Sequence, residues 1–101
     1  MDPDDVRSAA VGRVARVFGR QVADIRTEAV FGDDLKASFR SDFRYNELDH
    51  IDFDIRDVAG QEILAEFASG ANTITTVDDY CEHMVRCHAT NPEDVLRVLA
   101  R

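Results

Sequence analysis

The first apolar positions of the chain recur one helical turn apart, with polar residues between them: Val6, Ala10, Val14, Val17 and Phe18. Residues 2–5 read Asp-Pro-Asp-Asp, which is typical of a capped helix start with proline in the first turn. Gly19 is a natural C-terminal stop. The pattern therefore predicts a helix over residues 3–18, with arginines on its other faces: Arg7, Arg13 and Arg16.

Residues 20–35 lack this periodicity. They carry single apolar residues, and these can pin a long connection to a core: Val22, Ile25, Val30, Phe31 and Leu35. A connection of this length in a small domain is usually functional or fixed to the core in this way.

A second helix is predicted from Ser38, a possible N-cap. Phe39 and Phe43 lie one turn apart, and Leu48 and Ile51 continue the apolar face. Residues 50–58 also alternate apolar and polar, which is a strand signature. Because no partner strand is evident, we expect a helix to about residue 53 and then an extended exit.

Three further helices follow. The first is short, over residues 61–67, and ends at Gly70. Thr75 and Thr76 cap the next, whose expected buried face is Val77, Tyr80, Cys81, Met84, Val85 and His88. The sequence Asn-Pro-Glu-Asp at 91–94 predicts a terminal helix with Asn91 as its N-cap. The chain is thus expected to be one all-α domain over residues 1–101, with a four-helix core at about 3–88 and an extra helix at about 91–101.

The formal charge of −8 argues against nucleic acid or an anionic membrane as partner and suits docking onto basic protein surfaces. No apolar run approaches the roughly 20 residues of a membrane span. Two cysteines in 101 residues fit free thiols in a reducing cytoplasm, so a cytoplasmic location is expected.

Several stretches together resemble acyl carrier proteins. In that family a loop with isolated Val or Ile residues follows the first helix and ends in Ala-x-Phe-x-Asp/Glu-Asp-Leu; here residues 29–35 read Ala-Val-Phe-Gly-Asp-Asp-Leu. Residues 74–77 with Tyr80 resemble the start of the family's last helix, and residues 53–56 resemble the end of its second. The resemblance covers most of residues 6–88 and implies an acyl-carrier-like four-helix bundle with a lengthened region of the second and third helices.

The resemblance implies a carrier in fatty acid or lipid biosynthesis, not an enzyme. A transferase would attach 4′-phosphopantetheine to a serine, and the arm would hold an acyl group as a thioester. Acids of the second helix would dock the transferase and acyl-handling enzymes: Asp33, Asp34, Asp42, Glu47, Asp49 and Asp52. The acyl chain would lie among Phe39, Phe43, Leu48, Ile51, Ile63, Leu64 and Phe67.

The prosthetic-group motif itself departs from the family pattern. Where the family has the serine of Asp-Ser-Leu, this chain has Phe39. Ser38 lies one residue earlier and Ser41 two residues later. Three alternatives therefore stand: an arm on Ser38, an arm on Ser41, or a carrier-fold interaction module with no prosthetic group. The longer segment at 36–73 resembles specialised carriers of long acyl chains.

One cluster of possible ligands or nucleophiles lies on the fourth predicted helix: Cys81, His83, Cys87 and His88. Its spacing matches no common zinc pattern. Neither a third orienting group nor a glycine-rich oxyanion turn accompanies the Cys–His pair. We therefore expect Cys81 to be a core residue, and neither a metal site nor a hydrolase in this cluster.

Overall fold

The computed structural model describes residues 1–37 and 45–101. In this part the chain forms five α-helices and one 3₁₀ turn, Val22–Asp24. The helices are α1 Pro3–Phe18, α2 Glu47–Val58, α3 Gln61–Ser69, α4 Val77–His88 and α5 Pro92–Leu99. The only β-type pairings within the described residues are two isolated bridges. The predicted all-α class is confirmed.

Helix α1 has the predicted bounds for the predicted reasons. The Asp2 side chain accepts a hydrogen bond from the Asp5 amide at 2.9 Å, and Pro3 stands in the first turn. Gly19 ends the helix at φ 62°, in the left-handed region that glycine tolerates best. Arg13 is the exception, because it is buried rather than on a solvent face.

Helix α2 differs from its prediction at both ends. Residues 45 and 46 are not helical, and the helix begins at Glu47, where Asn46 and Asp49 form a reciprocal capping box. It continues through residues 54–58, so the extended exit predicted there is wrong. The alternation that resembled a strand also contains a helical face, formed by the buried residues Ile51, Asp54, Ile55 and Val58. Residues 38–44, with the predicted cap Ser38, lie outside the described part.

Helices α3, α4 and α5 occur where the sequence predicts them. The buried face of α4 is Val77, Tyr80, Cys81, His83, Met84 and Cys87. His83 and Cys87 thus join the predicted face, while Val85 and His88 are only half-buried. The predicted side-chain cap of α5 is not formed, because Asn91 Nδ2 instead points to the Val58 carbonyl, 3.5 Å away.

The N-terminus of α4 is held by a second capping box. Thr76 Oγ1 accepts from the Asp79 amide at 3.1 Å, and Asp79 Oδ2 accepts from the Thr76 amide at 3.0 Å. We expect Thr76→Ala to lower the free energy of unfolding in urea by about 1 kcal/mol. Thr73→Ala, at an exposed position outside any helix, is the control and should change little. Equal losses for both variants would contradict a capping role.

The core is formed mainly by α1 and α4, which make the most extensive helix–helix contact, with α2 and α5 packed against them. Helix α3 makes no comparably extensive contact with another helix, and Ile63 is its only buried residue. The four-helix core thus consists of α1, α2, α4 and α5, and the short α3 is thinly attached, whereas the sequence predicted the core at about 3–88 with the last helix as an addition.

Candidate functional site

The connection after α1 ends in a tight turn. The Val30 carbonyl accepts from the amides of Asp33, Asp34 and Leu35, and Asp34 Oδ2 accepts from the Val30 amide at 2.9 Å. Gly32, at φ 87°, supplies the left-handed residue the turn requires. Leu35 is only 2% exposed and fixes the end of the turn in the core.

This turn pairs with the start of α4. The Phe31 amide donates to the Thr75 carbonyl at 2.9 Å, and the Val77 amide donates to the Ala29 carbonyl at 3.0 Å. The Phe31 ring lies 6.3 Å from the Tyr80 ring between centroids, in an edge-to-face geometry. The two sequence stretches that carry most of the resemblance, 29–35 and 74–77, are therefore direct neighbours although about forty residues separate them in the chain.

The predicted docking acids differ in what their carboxylates do. Asp33 is exposed, and the described residues give its side chain no hydrogen-bonding partner, whereas Asp34 stabilises the turn. Asp49 belongs to the α2 capping box, and Asp52 is exposed and paired with Arg56 at 3.0 Å.

The two remaining predicted acids are Glu47 and Asp42. Glu47 is only 7% exposed, which does not fit contact with a partner protein. Asp42 lies outside the described residues. Asp33 and Asp52 are thus the predicted acids best presented for docking.

The described residues do not fit a phosphopantetheine arm at the start of α2. The resemblance implies a serine four residues after Leu35, where this chain has Phe39, whereas the first turn of α2 is Glu47, Leu48 and Asp49, preceded by Asn46. The Asn46 side chain already accepts from the Asp49 amide at 2.9 Å. The two candidate serines, Ser38 and Ser41, lie outside the described residues.

The structure describes five of the predicted acyl-pocket residues, and they differ in burial. Ile51 and Ile63 are buried in the core, and Leu48, Leu64 and Phe67 are half-buried, while Phe39 and Phe43 lie outside the described residues. A cleft of about 230 Å³ lies between α2, α3 and the segment before α4. It is lined by Asp52, Ile55, Arg56, Phe67, Thr73 and Ile74, so of the predicted set it contains Phe67.

A buried polar cluster centred on Asp54 is absent from the sequence-based predictions. Asp54 is fully buried on α2. Its Oδ2 accepts from Arg13 Nε at 2.8 Å and from the Tyr80 hydroxyl at 2.9 Å, and its Oδ1 accepts from Arg101 Nη1 at 3.0 Å. One carboxylate thereby links α1, α2, α4 and the residues after α5.

The cluster is arranged to keep the Tyr80 hydroxyl protonated. Burial first, and then the neighbouring Asp54 charge, raise the pKa of the Tyr80 hydroxyl well above its usual value. Arg13 and Arg101 supply positive charge to the carboxylate. Every group has a partner, so the arrangement stabilises the bundle and offers no reactive atom. Its sequence signal is the place of Asp54, three residues after Ile51, on the apolar face of α2.

The Cys–His cluster of α4 is also structural. Burial raises the pKa of both the Cys81 and the Cys87 thiols to about 11, so both stay protonated at neutral pH. Residues 1–37 and 45–101 contain no group of three or more His, Cys, Asp or Glu side chains placed to hold a metal ion. The expected place of Cys81 in the core is confirmed, and His83 and Cys87 are buried as well.

Comparison with known proteins gives no identification. No family model matches the chain, and neither the curated proteins nor the solved structures contain a significant match. Within the described residues, no helix combines the length and apolar character needed to cross a bilayer.

Proposed function

We propose that this protein is an acyl-carrier-like module that acts by docking onto other proteins, and that it does so without a prosthetic group. The pairing of the 29–35 turn with the start of α4 supports the carrier-like part of the proposal. It brings together the two stretches that resemble the family.

The start of α2 favours the form without an arm. A serine at a helix N-terminus would place its phosphodiester near the amide groups of the first turn. At the start of α2, Asn46 and Asp49 form a closed capping box and the first turn contains no hydroxyl side chain, so this helix start offers no attachment point for an arm. The second candidate function is an acyl carrier with the arm on Ser38 or Ser41, because these serines lie close before α2 in the sequence.

Intact mass spectrometry separates these two functions. The whole chain is incubated with coenzyme A, magnesium and a phosphopantetheinyl transferase of broad specificity, with a known carrier protein as positive control. We expect no mass increase for this chain. An increase by one phosphopantetheine group that disappears in Ser38→Ala or in Ser41→Ala would overturn the arm-free form and identify the modified residue.

The docking part of the proposal is tested by charge reversal. Asp33 is suited to this test because its carboxylate is exposed and makes no bond within the described residues, so its loss leaves the turn intact. We expect Asp33→Lys to weaken capture of the protein's partners from a lysate. Asp4→Lys makes the same charge change at an exposed position on α1 and is the matched control. Equal capture by both variants would place the docking surface elsewhere.

A further inference from the structure

Three helices meet at the side chain of His83 on α4, which is 3% exposed. Its Nε2 lies 2.8 Å from the carbonyl oxygen of Ile55 in the last turn of α2. That carbonyl lacks its usual helical partner, because the Ala59 amide donates to the Arg56 carbonyl instead. Since a carbonyl only accepts, Nε2 carries the proton. The other face of the junction is α3, whose Phe67 ring lies 5.6 Å from the His83 ring between centroids.

Helix α3 has few other attachments. Ile63 is its buried residue, and Glu66 forms a two-pronged ion pair with Arg86, with distances of 2.8 and 2.7 Å. Arg86 stands one turn after His83 on α4. The contacts of α3 with the bundle are therefore concentrated at Ile63, Arg86 and His83.

Among the described residues, no carboxylate lies within hydrogen-bonding or ion-pairing distance of the His83 ring. The one partner that the described residues give to Nδ1 is the Cys87 sulfur at 3.9 Å. The nearby carboxylates are already engaged: Asp79 with the Thr75 and Thr76 amides, Glu82 with Arg7, Glu66 with Arg86, and Asp52 with Arg56.

Burial lowers the pKa of His83; the bond to the Ile55 carbonyl opposes this shift, and the Arg86 charge adds to it. The ring is accordingly neutral at pH 7.

Two clefts flank the segment at 72–74. One, of about 250 Å³, contains His83 and Arg86, and the other, of about 230 Å³, contains Ile55 and Phe67. Both are lined by Thr73 and Ile74. His83 lines the first cleft and Phe67 the second, and their rings are the ones that lie 5.6 Å apart.

We propose that protonation of His83 controls the attachment of α3. The neutral ring holds α3 on the bundle, and a proton on Nδ1 releases α3 and joins the two clefts. A buried imidazolium whose second N–H faces only a sulfur must gain water, and moving the least packed helix provides it at the lowest cost. The proposal is independent of whether the protein carries an arm.

The direction of the pH effect follows from linkage. When α3 is released, His83 binds a proton near its ordinary pKa of about 6.5. When α3 is held on the bundle, which is the closed form, His83 does not bind this proton. Closure is therefore strongest above this pH and weakens as the pH falls below it. When the pH falls from 7.5 to 5.5, the equilibrium constant for release of α3 should rise about tenfold. Glu66 and Asp79 stay ionised over this range, because hydrogen bonds hold their pKa values below the usual ones.

Hydrogen exchange of the full chain tests the proposal, with rates expressed as protection factors so that the intrinsic pH dependence is removed. From pH 7.5 to 5.5 we expect the amides of α3 to lose about tenfold in protection while those of α1 keep theirs. His83→Gln retains a donor but cannot be protonated, and it should abolish this loss. His88→Gln changes the half-buried histidine of the same helix and should behave as the wild type.

Three results would overturn the proposal: pH-independent protection of α3, an equal loss in every helix, or persistence of the loss in His83→Gln. The imidazole resonances of the wild type provide a second measurement if His83→Gln does not fold. A His83 resonance that titrates below pH 6.5 supports the proposal, and one that titrates at or above pH 6.5 contradicts it.

Discussion

Asp54→Ala is expected to destabilise the protein by about 3–5 kcal/mol, a large part of the free energy of unfolding of a domain of this size. The reason is the loss of the shared acceptor. Arg13 would keep its positive charge in the core without a carboxylate, and the Tyr80 hydroxyl would lose its acceptor. Urea denaturation followed by circular dichroism measures the change.

Asp57→Ala is the matched control for this variant. Asp57 binds the same Arg101 guanidinium at 2.7 Å, but half of its side chain is exposed, so the loss should stay below about 1 kcal/mol. If Asp54→Ala does not fold, Tyr80→Phe removes one bond of the cluster and should cost about 1–3 kcal/mol. A loss for Asp54→Ala as small as that for Asp57→Ala would show that the buried charge contributes little.

The helices that the sequence predicts correctly are those whose signals are local. Asp2 caps the start of α1 and Gly19 ends it, and Thr76 and Asp79 cap the start of α4. All of these hydrogen bonds join residues that are close in the chain. Capping and helical periodicity act over this range, so a single sequence contains them. The same is true of Gly70, which ends α3 in the left-handed conformation at φ 78°.

Helix α2 shows where a prediction from neighbouring residues fails. The buried face of α2 contains Asp54 between Ile51 and Ile55. In the sequence alone, an acid at that position resembles a polar residue of an alternating strand pattern. The acid is tolerated because Arg13 and Tyr80 reach it from helices that lie 41 and 26 residues away in the chain. No residue near Asp54 in the sequence indicates that Arg13 and Tyr80 will bind its carboxylate. The burial of His83 has the same origin, since its acceptor is the Ile55 carbonyl, 28 residues away.

The candidate docking site is only partly predictable from the sequence, because some of its contacts are local and others are long-range. The turn at 29–35 contains its own bonds, and Leu35 is recognisable as an anchor. Which acids remain available for docking depends on tertiary structure: Asp34 is used by the turn, and Glu47 is buried. Asp33 differs from these two only in its surroundings.

Leu35→Ala is the second substitution with a large expected effect. Leu35 is 2% exposed and is part of the core cluster, so truncation removes apolar burial and leaves a cavity at the end of the turn. The expected loss in the free energy of unfolding is about 2–5 kcal/mol. Because the turn also pairs with residues 75–77, the amide of Phe31 should lose protection from hydrogen exchange.

Leu96→Ala makes the same chemical change where the leucine is 41% exposed, on α5, and should alter the stability by about 0.5 kcal/mol or less. The contrast between the two leucines tests whether the turn is part of the core. If Leu35→Ala costs as little as Leu96→Ala, and Phe31 keeps its protection, then the hydrogen bonds of Val30, Asp34 and Thr75 hold the turn without its anchor. The 29–35 stretch would in that case be an independently stable surface turn.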